Sequence, residues 1–266
     1  MNRIDHIVIN TRDHIDQAVA CFQRMGFIVT PRGYHSMGSI NHIIVFKTDY
    51  LELLGYPAEK VPERIPELSQ RPTGLMSTVV KVDSADEARA TLMMRGLVPR
   101  PVLNLSRPID LGNEKSADVK FHVTMLEPND IAGTWFYYCQ HLTPELVWRP
   151  VWQTHSNGCV AMTRLSVNVS DPKTAAEVYL RALDTTTVED TETNGCIIRL
   201  PNFEITLTTE SEKPSGMRKL VFGTDSLEKV EAALAQGGIS HHKENGRIVA
   251  DTLSHIGCEI EFESIV

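Results

Sequence analysis

The stretch RIDHIVIN, Arg3 to Asn10, alternates like a strand, and DHIDQAVACFQRMG, Asp13 to Gly26, follows it with Ile15, Ala18, Val19, Phe22 and Met25 at helical spacing. Gly26 supplies the stop, because a glycine accepts the left-handed backbone that ends many helices. FIVTP (27–31), NHIIVFK (41–47) and YLELLGY (50–56) then read as three short strands separated by turn residues. The unit is βαβββ.

The order recurs downstream. LMSTVVKV leads into SADEARATLMMRG, where Ser84 is an N-cap with Glu87 three residues on and Gly96 ends the helix. LVPRPVLNL, DVKFHVTML and GTWFYYCQH complete a second copy. MTRLSVNV, the helix DPKTAAEVYLRAL, CIIRL and FEITLTT make a third; GMRKLVFGT, the helix SLEKVEAALAQGG, HHKENGRIVAD and IGCEIEFESIV make a fourth. Within the fourth, SHHKENG reads as an exposed turn. One such unit leaves a sheet edge and half an apolar face uncovered, so the units have reason to pair into curved sheets. The expected fold is α+β: four βαβββ modules paired into two domains with cup-shaped mixed sheets. PELVWRPVWQTHSNGC, Pro144 to Cys159, lacks either period and marks the boundary. That gives an N-terminal domain over 1–147, a connection over 148–158 and a C-terminal domain over 159–266. Trp148 and Trp152 suggest that the connection is packed, since an exposed linker seldom carries tryptophan.

Composition narrows the function classes. The 266 residues are 42% hydrophobic and 23% charged, with a formal charge of −8 and no basic runs. Nucleic acid and acidic membranes both need a clustered positive footprint, so neither is an expected partner. Five widely spaced cysteines without a C-x-x-C pair indicate neither a disulfide framework nor a zinc ribbon. They read as buried thiols, and with no apolar leader at the start of the chain the expected location is the cytoplasm. No phosphate-binding glycine loop, G-x-G-x-x-G turn or G-x-S-x-G elbow occurs.

Glu52 is the anomaly in YLELLGY, a carboxylate among core-building leucines. Alternation places Ile4, His6, Val8 and Asn10 on one face of the first strand, and Tyr50, Glu52 and Leu54 on one face of the fourth. With the helix on the outer side, His6 and Glu52 both point into the cup, where an imidazole and a carboxylate can bind a divalent metal. The structural alternatives are a hydrogen-bonded core histidine and a salt bridge from Glu52 to Arg3 or Arg32. His35 and Asn41, flanking the Gly38 turn, and Tyr137 could hydrogen-bond a polar substrate, or the first two could simply order the loop. His155 and Asn157 could close over the cup or order the connection.

The stretches IDHIVINTRD, GYHSMGSINHIIVFKTDYLELLGY and YCQHLTPELVWRPVWQTHSNG resemble the glyoxalase-like branch of the vicinal oxygen chelate superfamily. The resemblance implies paired βαβββ modules and metal ligands, usually His and Glu, on the first and last strands. His6 and Glu52 match those positions. In the second module Ser77 stands near the expected His and Tyr137 near the expected Glu, so a true glyoxalase is not expected. His141 shares the parity of Tyr137, and the expected ligand set is therefore His6, Glu52 and His141 around Zn, Fe, Mn or Ni. Glu204, Glu259 and Glu261 lack ligand partners and are expected to face solvent.

Two functions compete at this point. One is a metal-dependent enzyme acting on a small oxygen-bearing molecule by Lewis-acid catalysis, of lyase, isomerase, hydrolase or dioxygenase type, with Glu52 as ligand or base. The other is a metal-free binding or sequestering protein whose cup presents Tyr34, Tyr50, Trp135 and Tyr137 to a small ligand. Open sheet edges would also permit a homodimer.

Overall fold

The computed structural model describes residues 3–61, 66–112, 115–127, 131–210 and 212–265. The first half of the chain runs β1 (Arg3–Arg12), α1 (Ile15–Arg24), β2 (Gly33–Tyr34), β3 (Ile40–Val45), β4 (Tyr50–Gly55), α2 (Glu67–Gln70), β5 (Gly74–Lys81), α3 (Ala85–Met94), β6 (Leu103–Gly112), β7 (Lys115–Met125) and β8 (Trp135–His141). These strands form one eight-stranded sheet in the order β2-β3-β4-β1-β5-β8-β7-β6. Each module pairs its first and last strands in parallel, β1 with β4 and β5 with β8, and the two modules join through antiparallel β1 and β5.

The second half repeats this plan. It runs β9 (Cys159–Asn168), α4 (Pro172–Leu183), β10 (Val188–Asp190), β11 (Cys196–Leu200), β12 (Phe203–Thr208), β13 (Gly216–Thr224), α5 (Leu227–Gln236), β14 (His241–Glu244), β15 (Arg247–Ala250), α6 (Leu253–Ile256) and β16 (Glu259–Ser264). Its sheet order, β10-β11-β12-β9-β13-β16-β15-β14, is that of the first sheet shifted by eight strands. The fold is α+β, two sheets of paired βαβββ modules.

Three local readings change. FIVTP is not a strand: Pro31 has no N–H for a ladder, and the segment is held to β3 by Thr30, whose N–H donates to the Ile43 carbonyl at 3.0 Å and whose hydroxyl accepts from the Ile43 N–H at 2.9 Å. The first edge strand is β2 instead. SHHKENG is not all turn, because His241–Glu244 pairs with Arg247–Ala250 and the turn is Asn245-Gly246, with φ of 48° and 78°. Two residues at positive φ are what a tight hairpin requires. Glu204 and Glu261 do not face open solvent. Glu261 is 3% exposed, and on the second sheet these side chains pair with Arg164, Arg199, Lys219 and Arg247.

The helix-bearing faces of both sheets share one apolar core. Phe27 and Phe46 from the first half pack against Phe222 at 4.9 and 5.7 Å between ring centroids. Tyr138 donates to the Ala182 carbonyl at 2.9 Å, and Tyr179 to that of Ala132 at 2.8 Å. The opposite face of the first sheet is left to line a separate, cup-shaped cavity.

Candidate active site

A β-bulge decides the chemistry of this cup. In the β1–β5 ladder Ile4 pairs with Val80 and His6 with Val79, so Asp5 is an extra residue on β1. An inserted residue breaks the two-residue alternation. Ile4 consequently joins Ile7 and Ile9 in the shared core, while His6 and Val8 face the cup. The expectation that Ile4 lies on the face of His6 fails for this reason.

Asp5 is fully buried. Its Oδ2 accepts hydrogen bonds from His6 Nδ1 and from His141 Nε2, each at 2.8 Å. Burial pushes its carboxyl up, but His141 and His6 outweigh burial and hold it below the ordinary carboxylate range. With Nδ1 on Asp5, His6 presents its Nε2 to Glu52 Oε2, 3.6 Å away. Tyr50 stacks on the His6 ring at 4.3 Å between centroids and fixes its plane.

Glu52 is 9% exposed. Its Oε1 accepts from Asn41 Nδ2 at 2.6 Å and lies 3.9 Å from His35 Nε2. His35 is oriented through Nδ1 by the Ser39 hydroxyl at 2.9 Å, across a turn in which Gly38 takes φ +94°. Burial pushes the His35 imidazole below its ordinary value, against the pull of Glu52, so it is neutral at pH 7. Neither structural alternative for Glu52 is seen: Arg32 pairs with Asp16, and Arg3 is exposed at the head of β1.

The structure thus brings His6, Glu52, His35 and Asn41 together and lines the cup with Tyr137. The expected three-ligand set is not assembled, because His141 Nε2 is taken by Asp5 and its ring does not line the cavity. Tyr34 is 57% exposed and takes no part in the cup. Ser77 pairs with Val8 of β1 and Tyr137 with Val79 of β5, and the Ser77 hydroxyl is buried without a partner among the described residues. His155 and Asn157 order the connection: His155 bridges the Ile28 N–H and the Val45 carbonyl at 3.0 and 3.1 Å, and Asn157 donates to the Met25 carbonyl at 2.8 Å.

The cavity has a volume of about 220 Å³, with mainly apolar walls that include Leu103, Leu105, Phe121 and Val123. The segment after β8 helps to close it. Val147 is in the lining, and Trp148 packs 4.8 Å from the His141 ring with Lys81 Nζ 4.0 Å over its face. Asp5 and Arg107 are the functional candidates missed in the sequence. Asp5 carried a signal, a charge on a strand face otherwise built of Ile7 and Ile9, where an unpaired carboxylate would be costly. Arg107 carried none.

Two eight-stranded sheets of paired βαβββ modules, one enclosing a polar cluster in an apolar cup, define a protein of vicinal oxygen chelate type. Residues 4–183 match the glyoxalase-like domain family, and the chain belongs to it. No curated protein matches the sequence. Solved structures with a similar fold include a hypothetical protein from Staphylococcus aureus, 12% identical over 100% of both chains with a TM-score of 0.71. A mutant 4-hydroxymandelate synthase from Streptomyces coelicolor is 11% identical over 99% of this chain and 92% of its own, with a TM-score of 0.64. A xylose isomerase-like TIM barrel/4-hydroxyphenylpyruvate dioxygenase fusion protein is 11% identical, with a TM-score of 0.63 over 98% of this chain and 48% of the fusion. At these identities the likeness is one of fold.

Proposed function

We propose that the chain is a metal-dependent enzyme that acts on a small oxygen-bearing molecule in the N-terminal cup. The observation that carries this reading is an imidazole and a carboxylate, His6 Nε2 and Glu52 Oε2, facing each other at 3.6 Å in a buried site. A pair so placed can share a cation. A carboxylate behind a histidine, as Asp5 stands behind His6, is the usual outer support of a metal-ligating imidazole. His6 and Glu52 would hold the ion, with His35 as the third donor beside Glu52 in place of His141. Two imidazoles and a carboxylate suit Zn, Fe, Mn or Ni. Such an ion would supply Lewis-acid polarisation of a carbonyl, enolate or diol oxygen.

The protein's own groups have separable tasks. Asn41 fixes the Glu52 carboxylate, Tyr137 offers a phenol to the substrate, and the apolar walls exclude water. Glu52 either ligates or takes a proton from the substrate. Residues 1–147 would form the domain that carries the site, 148–158 the connection and 159–266 a degenerate second domain, because Glu204 and Glu261 on the second sheet are held by arginine and lysine. Five free, buried cysteines support a cytoplasmic location.

The mainly apolar walls favour a second reading, a metal-free binding protein in which His6 and Glu52 share a proton. Elemental analysis of wild type, His6→Ala and Glu52→Ala separates the two. Stoichiometric metal in wild type and its loss in both variants is expected; no metal in any of the three after reloading would overturn the enzyme reading.

A further inference from the structure

We propose that Arg107 anchors an acidic group of the ligand, so that the cup takes small carboxylic acids with an apolar or aromatic body. The inference rests on the cup being a small-molecule site and names the class that it selects. Arg107 stands on β6, lines the cavity and is only 6% exposed, with no hydrogen bond or close ion pair among the described residues; Tyr50 and Glu52 offset its charge only through space. A buried guanidinium without an acceptor is costly, and proteins rarely retain one without use.

This chain pairs its comparable arginines. Arg100, in the same cavity wall, meets Glu127 through Nε at 2.9 Å and Nη2 at 3.0 Å, and Arg164 meets Glu263 at 2.9 Å. Space has also been made for the unpaired one. Gly33 has no positive φ that would demand glycine, but a Cβ there would meet Asn41 Oδ1 at 2.4 Å and both Arg107 Cδ and Nη1 at 3.1 Å. The guanidinium and the Asn41 amide thus flank a missing side chain beside Glu52, and an acid seated on Arg107 brings its neighbouring atoms toward the His6–Glu52 pair.

A single guanidinium offers a planar fork of donors that matches one carboxylate. A volume of about 220 Å³ lies below the ~300–1,000 Å³ of clefts for drug-sized ligands, which limits the body to about a single ring.

The test is thermal melting of wild type, Arg107→Met and Arg107→Lys with benzoate and phenylacetate, against benzamide and phenylacetamide. The acids are expected to raise the wild-type melting temperature saturably and the amides not. Arg107→Met should weaken acid binding roughly tenfold or more, with partial recovery in Arg107→Lys. Without ligand, Arg107→Met should melt no lower than wild type, whereas a purely structural arginine would be missed. Equal response to acids and amides, or undiminished acid binding by Arg107→Met, overturns the anchor and leaves the cup intact as a site. Absence of any response to all four compounds overturns both the anchor and the small-molecule site. Metal content, measured separately, reports on the enzyme reading alone.

Discussion

Asp5 holds a negative charge away from all solvent, and the two histidines that bond it make that arrangement stable. Its carboxyl lies below the ordinary value of 3.8, so its stabilisation is present above that pH and is lost as pH falls below it. Asp5→Asn should therefore differ most from wild type in stability above about pH 4 and converge with it in stronger acid, as read by denaturant titration across pH. The same variant leaves His6 less firmly oriented, and under the proposed metal-binding reading metal affinity should fall about 10–100-fold in a competition titration with a chelator. Neither role is visible in a strand read by alternation, which assigns Asp5 to the face it does not use.

Strand ends show what local sequence can specify. Asn10 lies near the end of β1 and its Nδ2 donates to the carbonyls of Leu68, Arg71 and Pro72; Asn168 closes β9 and donates to those of Glu210, Lys213 and Pro214. One side chain at the same place in each half ties the loop before the next module to the first strand. Asn10→Ala and Asn168→Ala should each cost about 1–3 kcal/mol, since buried carbonyls lose their donor, and equilibrium urea unfolding would show it. The helices were legible for similar reasons: Ser84 accepts from the Glu87 N–H at 3.2 Å, and Gly26 and Gly96 take φ of 86° and 74°. FIVTP reads as a strand because Phe, Ile, Val and Thr suit one, but Pro31 and the Thr30 hydroxyl replace the ladder.

Both halves meet at a seam that carries two buried titratable groups of opposite sign. Burial pushes His155 down to about 4, against its bond to the Val45 carbonyl, while Nδ1 accepts from Ile28 N–H and so needs the neutral ring. Its stabilisation is complete above 6.5 and is lost as pH falls toward 4, a loss on the order of 3 kcal/mol. Asp49, which accepts from the Met162 N–H at 3.0 Å, is pushed up to about 6 by burial. Its protonated form is the stabilising one, so that contribution is present below 3.8 and lost as pH rises through about 6. Between about pH 4 and 6 the two oppose each other. His155→Gln should unmask the Asp49 trend, with melting temperature falling as pH rises through that window, where wild type changes little. The shared core also predicts one cooperative melting transition, and calorimetry showing two separated transitions would contradict it.

The module order, the helices and the convergence of His6 with Glu52 were written in periodicity and caps, because those signals act over a few residues and each is repeated along the chain. Which residues complete the site was not. Asp5 enters through a bulge defined only by pairing with β5, and Arg107 reaches the cup from an edge strand 55 residues beyond Glu52 (107 − 52). His141 is drawn to Asp5 instead of Glu52 for the same reason. Register, bulge position and the burial of an unpartnered charge arise only when distant strands close on one another, and no local pattern encodes them.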